Sequence, residues 1–196
     1  MARARFRSTR WREVVRNWGT TPEERRQAYP CDQLLPDHDT AYFRGVTVAA
    51  PSDVAFRWLC QLRVAPYSYD WIDNAGRRSP RELTQGLEEL AVGQPVMRIF
   101  DLAAFDPGRH LTLRLRHPGL FPPLFVSYVV VPTSPRSCRI VVKLVLRFRT
   151  GLRDRIVEAL APTLDWIMMR RQLLNLGRLA ERSAREADPA QARGSR

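Results

Sequence analysis

The apolar run from Leu152 to about Arg182 constrains the fold of this chain more than any other stretch. Apolar residues recur there at three- and four-residue spacing: Ile156, Leu160, Leu164, Ile167, Met168 and Leu174, with Trp166, Met169, Leu173 and Leu176 on an adjoining face. The pattern predicts one long helix, and Pro162, which lacks an N–H, predicts a kink within it. Its apolar arc is wider than the two-residue seam of a coiled coil, so a surrounding surface must cover it.

The preceding residues supply that surface. Leu111, Leu113 and Leu115 alternate with Thr112, Arg114 and Arg116. Ile140, Val142, Leu144, Leu146 and Phe148 alternate with a face carrying Arg139, Lys143, Arg147 and Arg149. One apolar and one polar face per strand predicts an antiparallel sheet with a single wet side. Further strands are predicted over 43–49, 96–102 and 125–131, and a helix from Ser52, the expected cap, to about Arg63. Ahead of these lie a helical stretch over 8–18, a second helix start at Thr20-Thr-Pro-Glu-Glu, and a loop over 29–39. The order predicts an α+β architecture in which the sheet wraps the last helix. The organisation expected is a basic helical N-terminal arm over 1–39, the main domain over 40–182 and a disordered tail over 183–196.

No run of eighteen apolar residues occurs, and the basic start, Met1-Ala-Arg-Ala-Arg-Phe-Arg, has no apolar stretch behind it. Cys31, Cys60 and Cys138 are far apart and lack metal-ligand spacing, which fits reduced thiols in a cytoplasmic protein. The net charge of +12 is concentrated at the ends, +5 over residues 1–26 and +4 over 170–196. An anionic membrane or a protein partner is one reading of those arginines, and solvated ends are the other. Nucleic acid is not expected, because no aromatic-interleaved basic motif is present.

Val46-Thr-Val-Ala-Ala-Pro-Ser-Asp-Val54 leading to Trp58-Leu59, then Tyr67-Ser-Tyr-Asp-Trp71, Leu90-Ala-Val-Gly93, Phe105-Asp-Pro107 and the last helix carry a resemblance over about residues 40–182. The chain resembles the START-like, Bet v 1-like helix-grip superfamily, the polyketide cyclase/dehydrase and lipid transport group. With Asn17-Trp18-Gly19-Thr20 it is similar to a bacterial, chiefly actinobacterial, branch. The resemblance implies a curved sheet of about seven antiparallel strands gripping the last helix around an apolar cavity. It also implies a hydrophobic ligand such as a lipid or polyketide. It transfers no catalytic residue.

Candidate ligand-binding residues follow from position. Tyr67, Tyr69 and Trp71 would point one way if their segment is extended, lining either core or pocket. Arg98 is either an inward cation for a ligand carboxylate or a solvated strand arginine. Leu113, Leu144 and Tyr128 from the strands would oppose Trp166 and Met169 from the helix. The leading expectation is binding or transport of a hydrophobic small molecule, without established catalysis and without a cofactor. A cyclase or dehydratase using a tyrosine and an arginine is the alternative, and docking through the arginine-rich ends a second. His38, between Asp37 and Asp39, lacks a third metal ligand at diagnostic spacing. The apolar linker His117–Phe125 is either a membrane-touching portal through Leu120 and Phe121 or a loop folded over the sheet.

Overall fold

The computed structural model describes residues 11–73, 76–116, 122–148 and 152–187. The first ten residues, Leu120 and Phe121 of the linker, Arg149, the side chain of Ile156 and the tail beyond Ala187 lie outside the described residues.

Six strands form one antiparallel sheet: β1 (Thr40–Val48), β2 (Pro95–Val96), β3 (Phe100–Asp106), β4 (His110–Leu115), β5 (Leu124–Ser134) and β6 (Ser137–Leu146). Their order is β1-β6-β5-β4-β3-β2. The helices are α1, which includes residues 11–17, α2 (Pro22–Arg26), α3 (Pro30–Leu34), α4 (Ser52–Cys60), α5 (Asp70–Asp73) and α6 (Leu152–Ala187). A curved antiparallel sheet closed by a long C-terminal helix is the helix-grip α+β arrangement. Six strands are found among the described residues where about seven were expected.

Register sets the inner face. Leu111 opposes Tyr128, which opposes Val142, and Leu113 opposes Val126, which opposes Leu144. These residues join Trp58, Leu59 and Leu62 near α4 and Met169, Leu173, Leu176 and Ala180 of α6 in one core. The last four recur at three- and four-residue spacing, so they form the stripe by which α6 is held. Leu160, Leu164 and Ile167, expected on the covered arc, are instead exposed. Periodicity fixes the width of an apolar stripe, but which part of a 36-residue helix meets the sheet is decided by the sheet. The helix also continues past Ser183, whose hydroxyl accepts the Trp58 indole N–H at 3.0 Å, and runs to Ala187, into the stretch expected as tail from 183.

Part of the outer face of the sheet, expected to be wet, is covered. Instead of a loop over 29–39, Pro30–Leu34 forms α3, and Tyr29, Cys31 and Leu35 pack on Phe43, Val141 and Val145. Thr112 and Ser127 are fully buried beneath it, their hydroxyls 2.9 Å apart, and Ser127 also accepts the Cys31 N–H at 2.9 Å. Lys143 pairs with Asp32 at 2.5 Å. Arg139 donates to Glu24 at 2.8 Å and to the Gly19 carbonyl at 2.7 Å. These strand cations, expected in solvent, fasten the N-terminal segment to the sheet.

Local sequence explains how that segment is positioned. Thr21 and Glu24 form a reciprocal capping box at the start of α2. Asn17 and Trp18 bridge Phe43 and Arg44 in parallel, at the edge of β1. Gly19 follows with φ of +72°, and a Cβ there would collide with the Gly45 carbonyl, so only glycine fits. Ser52 is the first residue of α4 rather than its cap, since Pro51 occupies that position.

Candidate functional site

Between the inner face of the sheet and α6 the side chains leave a cavity of about 500 Å³. Val126 of β5, Leu144 of β6, Met168 and Met169 of α6, Ile99 just before β3 and Phe100 at its start make its wall largely apolar. Ser68, Arg98, Tyr128, Asp165 and Gln172 are the polar residues of that wall.

Tyr128 and Gln172 satisfy each other. The Tyr128 hydroxyl donates to Gln172 Oε1 at 2.8 Å, and the Gln172 amide donates to the Pro66 carbonyl at 2.6 Å. This relay ties β5, α6 and the segment after α4 together. Burial pushes the Tyr128 phenol well above its ordinary range, so it stays a neutral donor and is no base.

Asp165 takes a charged partner. Its Oδ2 lies 2.6 Å from Arg44 Nη2, with the Arg44 side chain 1% exposed and that of Asp165 18%. Arg44 Nη1 donates to the carbonyls of Phe43 at 2.8 Å and Arg16 at 3.0 Å, while its buried Nε finds no partner among the described residues. Burial raises the Asp165 carboxyl above its ordinary value, and the Arg44 guanidinium opposes that shift. A buried carboxylate is held here by one strand arginine and faces an apolar chamber.

Of the residues expected to bind ligand, Arg98, Tyr128, Leu144 and Met169 come together around this cavity. Arg98 lies in a turn rather than a strand. Met97 and Arg98 have φ of +47° and +64°, and the residues expected as one strand over 96–102 divide into β2 and β3. Arg98 is therefore a solvated cation, but in a turn and not on a strand; its exposed side chain stands at the rim.

Tyr67, Tyr69 and Trp71 do not share a direction. Tyr67 has φ of +55°, and Asp70 opens α5, so the alternation that an extended segment would give is broken. Tyr67 is buried against Trp58, with ring centroids 6.1 Å apart. Tyr69 lies under Arg171, whose guanidinium is 4.9 Å from the ring centre, and Trp71 is 75% exposed. Leu113 is filled core, with no exposure at all. Trp166 turns to the other side of α6 and packs edge-on against Trp11 at 5.2 Å. These five residues line no part of the cavity.

Arg44, Asp165 and Gln172 were missed, and all three were within reach. Arg44 lies two residues before Val46 and four before Val48, the face read as apolar, so alternation already placed it inside. Asp165 and Gln172 stand four residues before and three after Met169, on its side of the helix.

No protein-family model matches the chain, and no curated protein matches it. Solved structures similar to it include a Thermobifida fusca protein determined by NMR, 15% identical, covering 72% of this chain and 93% of that one, with a TM-score of 0.49. A START superfamily protein from Mycobacterium smegmatis is 18% identical over 75% of this chain and 98% of its own, with a TM-score of 0.42. An aromatase/cyclase from a Streptomyces species is 16% identical over 77% of this chain and 97% of its own, with a TM-score of 0.43.

Proposed function

We propose that the protein binds a hydrophobic small molecule, lipid-like or polyketide-like, in the cavity between the sheet and α6. One observation carries this reading: the chamber is apolar, and Tyr128, Gln172 and Asp165 in its wall have their polar atoms engaged by the protein itself. A guest would then be held by burial of apolar surface, worth about 25 cal/mol per Å² removed from water. The volume is of the size that small-molecule sites occupy, roughly 300–1,000 Å³. Met168 and Met169, flexible and polarisable, suit a wall that adapts to its guest. Arg98 at the rim would meet a polar or anionic end of that guest.

The test uses the neutral dye Nile red, with mass spectrometry of whatever co-purifies. Leu144→Trp and, separately, Val126→Phe place bulk in the cavity and should abolish dye enhancement while the far-UV circular dichroism is retained. Undiminished dye binding by both folded variants, with nothing co-purifying, would sink the reading.

A second reading, cyclase or dehydratase chemistry, is favoured by one feature. Asp165 is a carboxyl with a raised pKa at an apolar chamber, the setting of a general acid. It would need turnover of a bound polyketide that Asp165→Asn removes while dye binding persists. Tyr67 and Tyr69 play no part in it, because they lie outside the cavity.

A further inference from the structure

A second recess, of about 900 Å³, lies on an adjoining flank of α6 and has the reverse chemistry. One wall is a stripe of α6, Arg171, Asn175, Arg178, Arg182 and Arg185, spaced four, three, four and three residues apart and therefore on one face. The other wall is made of Tyr67–Trp71, Gly76 and Arg78–Arg81, which adds two more arginines, Arg78 and Arg81. Six guanidiniums thus face a single carboxylate, Asp70, and that carboxylate is already occupied. It accepts the Ser79 N–H at 2.9 Å and the Ser79 hydroxyl at 2.5 Å.

Among the described residues, Arg78, Arg81, Arg171, Arg178 and Arg185 have no ion-pair partner, and Arg182 reaches only Glu186 at 3.5 Å. Like charges gathered without counter-charge repel one another, and a multivalent anion relieves the repulsion at every arginine it touches. Guanidinium forks also match phosphate oxygens in pairs.

The recess has a defined length. Asn175 donates to the Tyr67 carbonyl at 2.9 Å, and Arg182 donates to the Arg81 carbonyl, so α6 is tied to the opposite wall at two points. Seven residues separate the ties, about 10 Å of helix at 1.5 Å per residue, with Arg178 midway. That span suits a chain of two or three phosphates and is too short for a polynucleotide running through. Trp71, 75% exposed, presents an indole beside the arginines. An indole so placed stacks on a planar heterocycle.

We propose that this groove binds a soluble nucleotide-type anion, its two or three phosphates on Arg78, Arg81, Arg171 and Arg178 and its ring on Trp71. The site is separate from the cavity, and neither assignment depends on the other.

Calorimetric titration of the full chain at constant ionic strength, with inorganic pyrophosphate and with ADP, tests it. ADP should bind more tightly than pyrophosphate. Arg81→Gln combined with Arg178→Gln should weaken both by about tenfold or more, the loss expected for charge-assisted hydrogen bonds. Trp71→Ala should weaken ADP alone, and Arg109→Gln combined with Arg114→Gln, an equal charge change at exposed arginines elsewhere, should change neither. Nile red binding should be the same in all four proteins.

The proposal is overturned if neither anion binds, or if the paired change at Arg109 and Arg114 weakens binding as much as the groove pair does. It is also overturned if Trp71→Ala leaves ADP untouched. Binding confined to phosphatidylserine vesicles, or to a single-stranded oligonucleotide, would overturn it in favour of that partner.

Discussion

Ser68 borders both recesses, and the two obey opposite rules. In the cavity, Tyr128 is spent on Gln172 and Asp165 on Arg44. In the groove, five arginines stand without a carboxylate. Solvation accounts for the difference. An unpaired polar group out of water costs several kcal/mol, so the cavity can hold such groups only in closed pairs. The groove guanidiniums keep contact with water, so they need no carboxylate within the fold. A cavity built this way selects its guest by shape and apolar area, and a groove built this way selects by charge.

The sharpest break in that contrast is at Asp165. Asp165→Leu leaves Arg44, 1% exposed, as an uncompensated buried cation, and should cost about 3–5 kcal/mol in urea denaturation. Adding Arg44→Met removes the stranded charge and should restore most of the loss. A single variant as stable as wild type would mean that water reaches Arg44 and that the cavity is not dry.

Tyr128→Phe comes next. It removes the donor from Gln172 Oε1, a buried acceptor, and should cost about 1–3 kcal/mol, while Tyr128→Phe with Gln172→Leu should cost less than the sum of the separate changes. Strict additivity in the cycle would mean the relay is not a unit.

These pairs also show what the sequence could convey. Alternation placed Leu144 and Leu113 on the inner face, because a strand with one buried side has only two phases, whereas the run over 125–131 left the phase of Tyr128 open. It could not separate Leu144, at the cavity, from Leu113, in filled core, since both are simply inward leucines. The outer face was misread for a related reason. Lys143 and Arg139 look solvated until α3 and the Gly19 turn are known to cover them, and that covering is tertiary. Tyr67 to Trp71 failed at one torsion, the positive φ of Tyr67, which an aromatic residue rarely adopts and no pattern announces. The groove was present only as an excess of arginine near the C-terminus. Its meaning came from Arg78 and Arg81, about ninety residues earlier, which the fold sets opposite.

The pH dependence of stability is a smaller effect on the cavity side. Burial raises the folded pKa of Asp165 above its ordinary 3.8, so the folded chain holds this proton more tightly than the unfolded chain does. Stability from this group is therefore fully present below 3.8 and is lost as pH rises through the folded value. Measured against Asp165→Asn, which does not titrate, wild type should lose ground as pH increases across that window. The opposite slope would mean that Arg44 outweighs burial.

The smallest effect is expected in the groove, where its smallness is the point. Arg178 sits four residues before Arg182 and seven after Arg171 on one stripe, with no carboxylate paired to it among the described residues. Arg178→Gln keeps helix propensity nearly constant and removes one like-charge neighbour. Unfolding free energy should move by no more than about 0.5 kcal/mol, toward greater stability. The gain should fade in about 1 M salt, where the screening length falls to roughly 3 Å. The same charge removal that costs several kcal/mol at Asp165 would then be free or favourable at Arg178, because water rather than a side chain is its partner. A loss above about 1 kcal/mol would place Arg178 among the fold's own pairs, like Arg44, and the groove would have no charge to spare for a ligand.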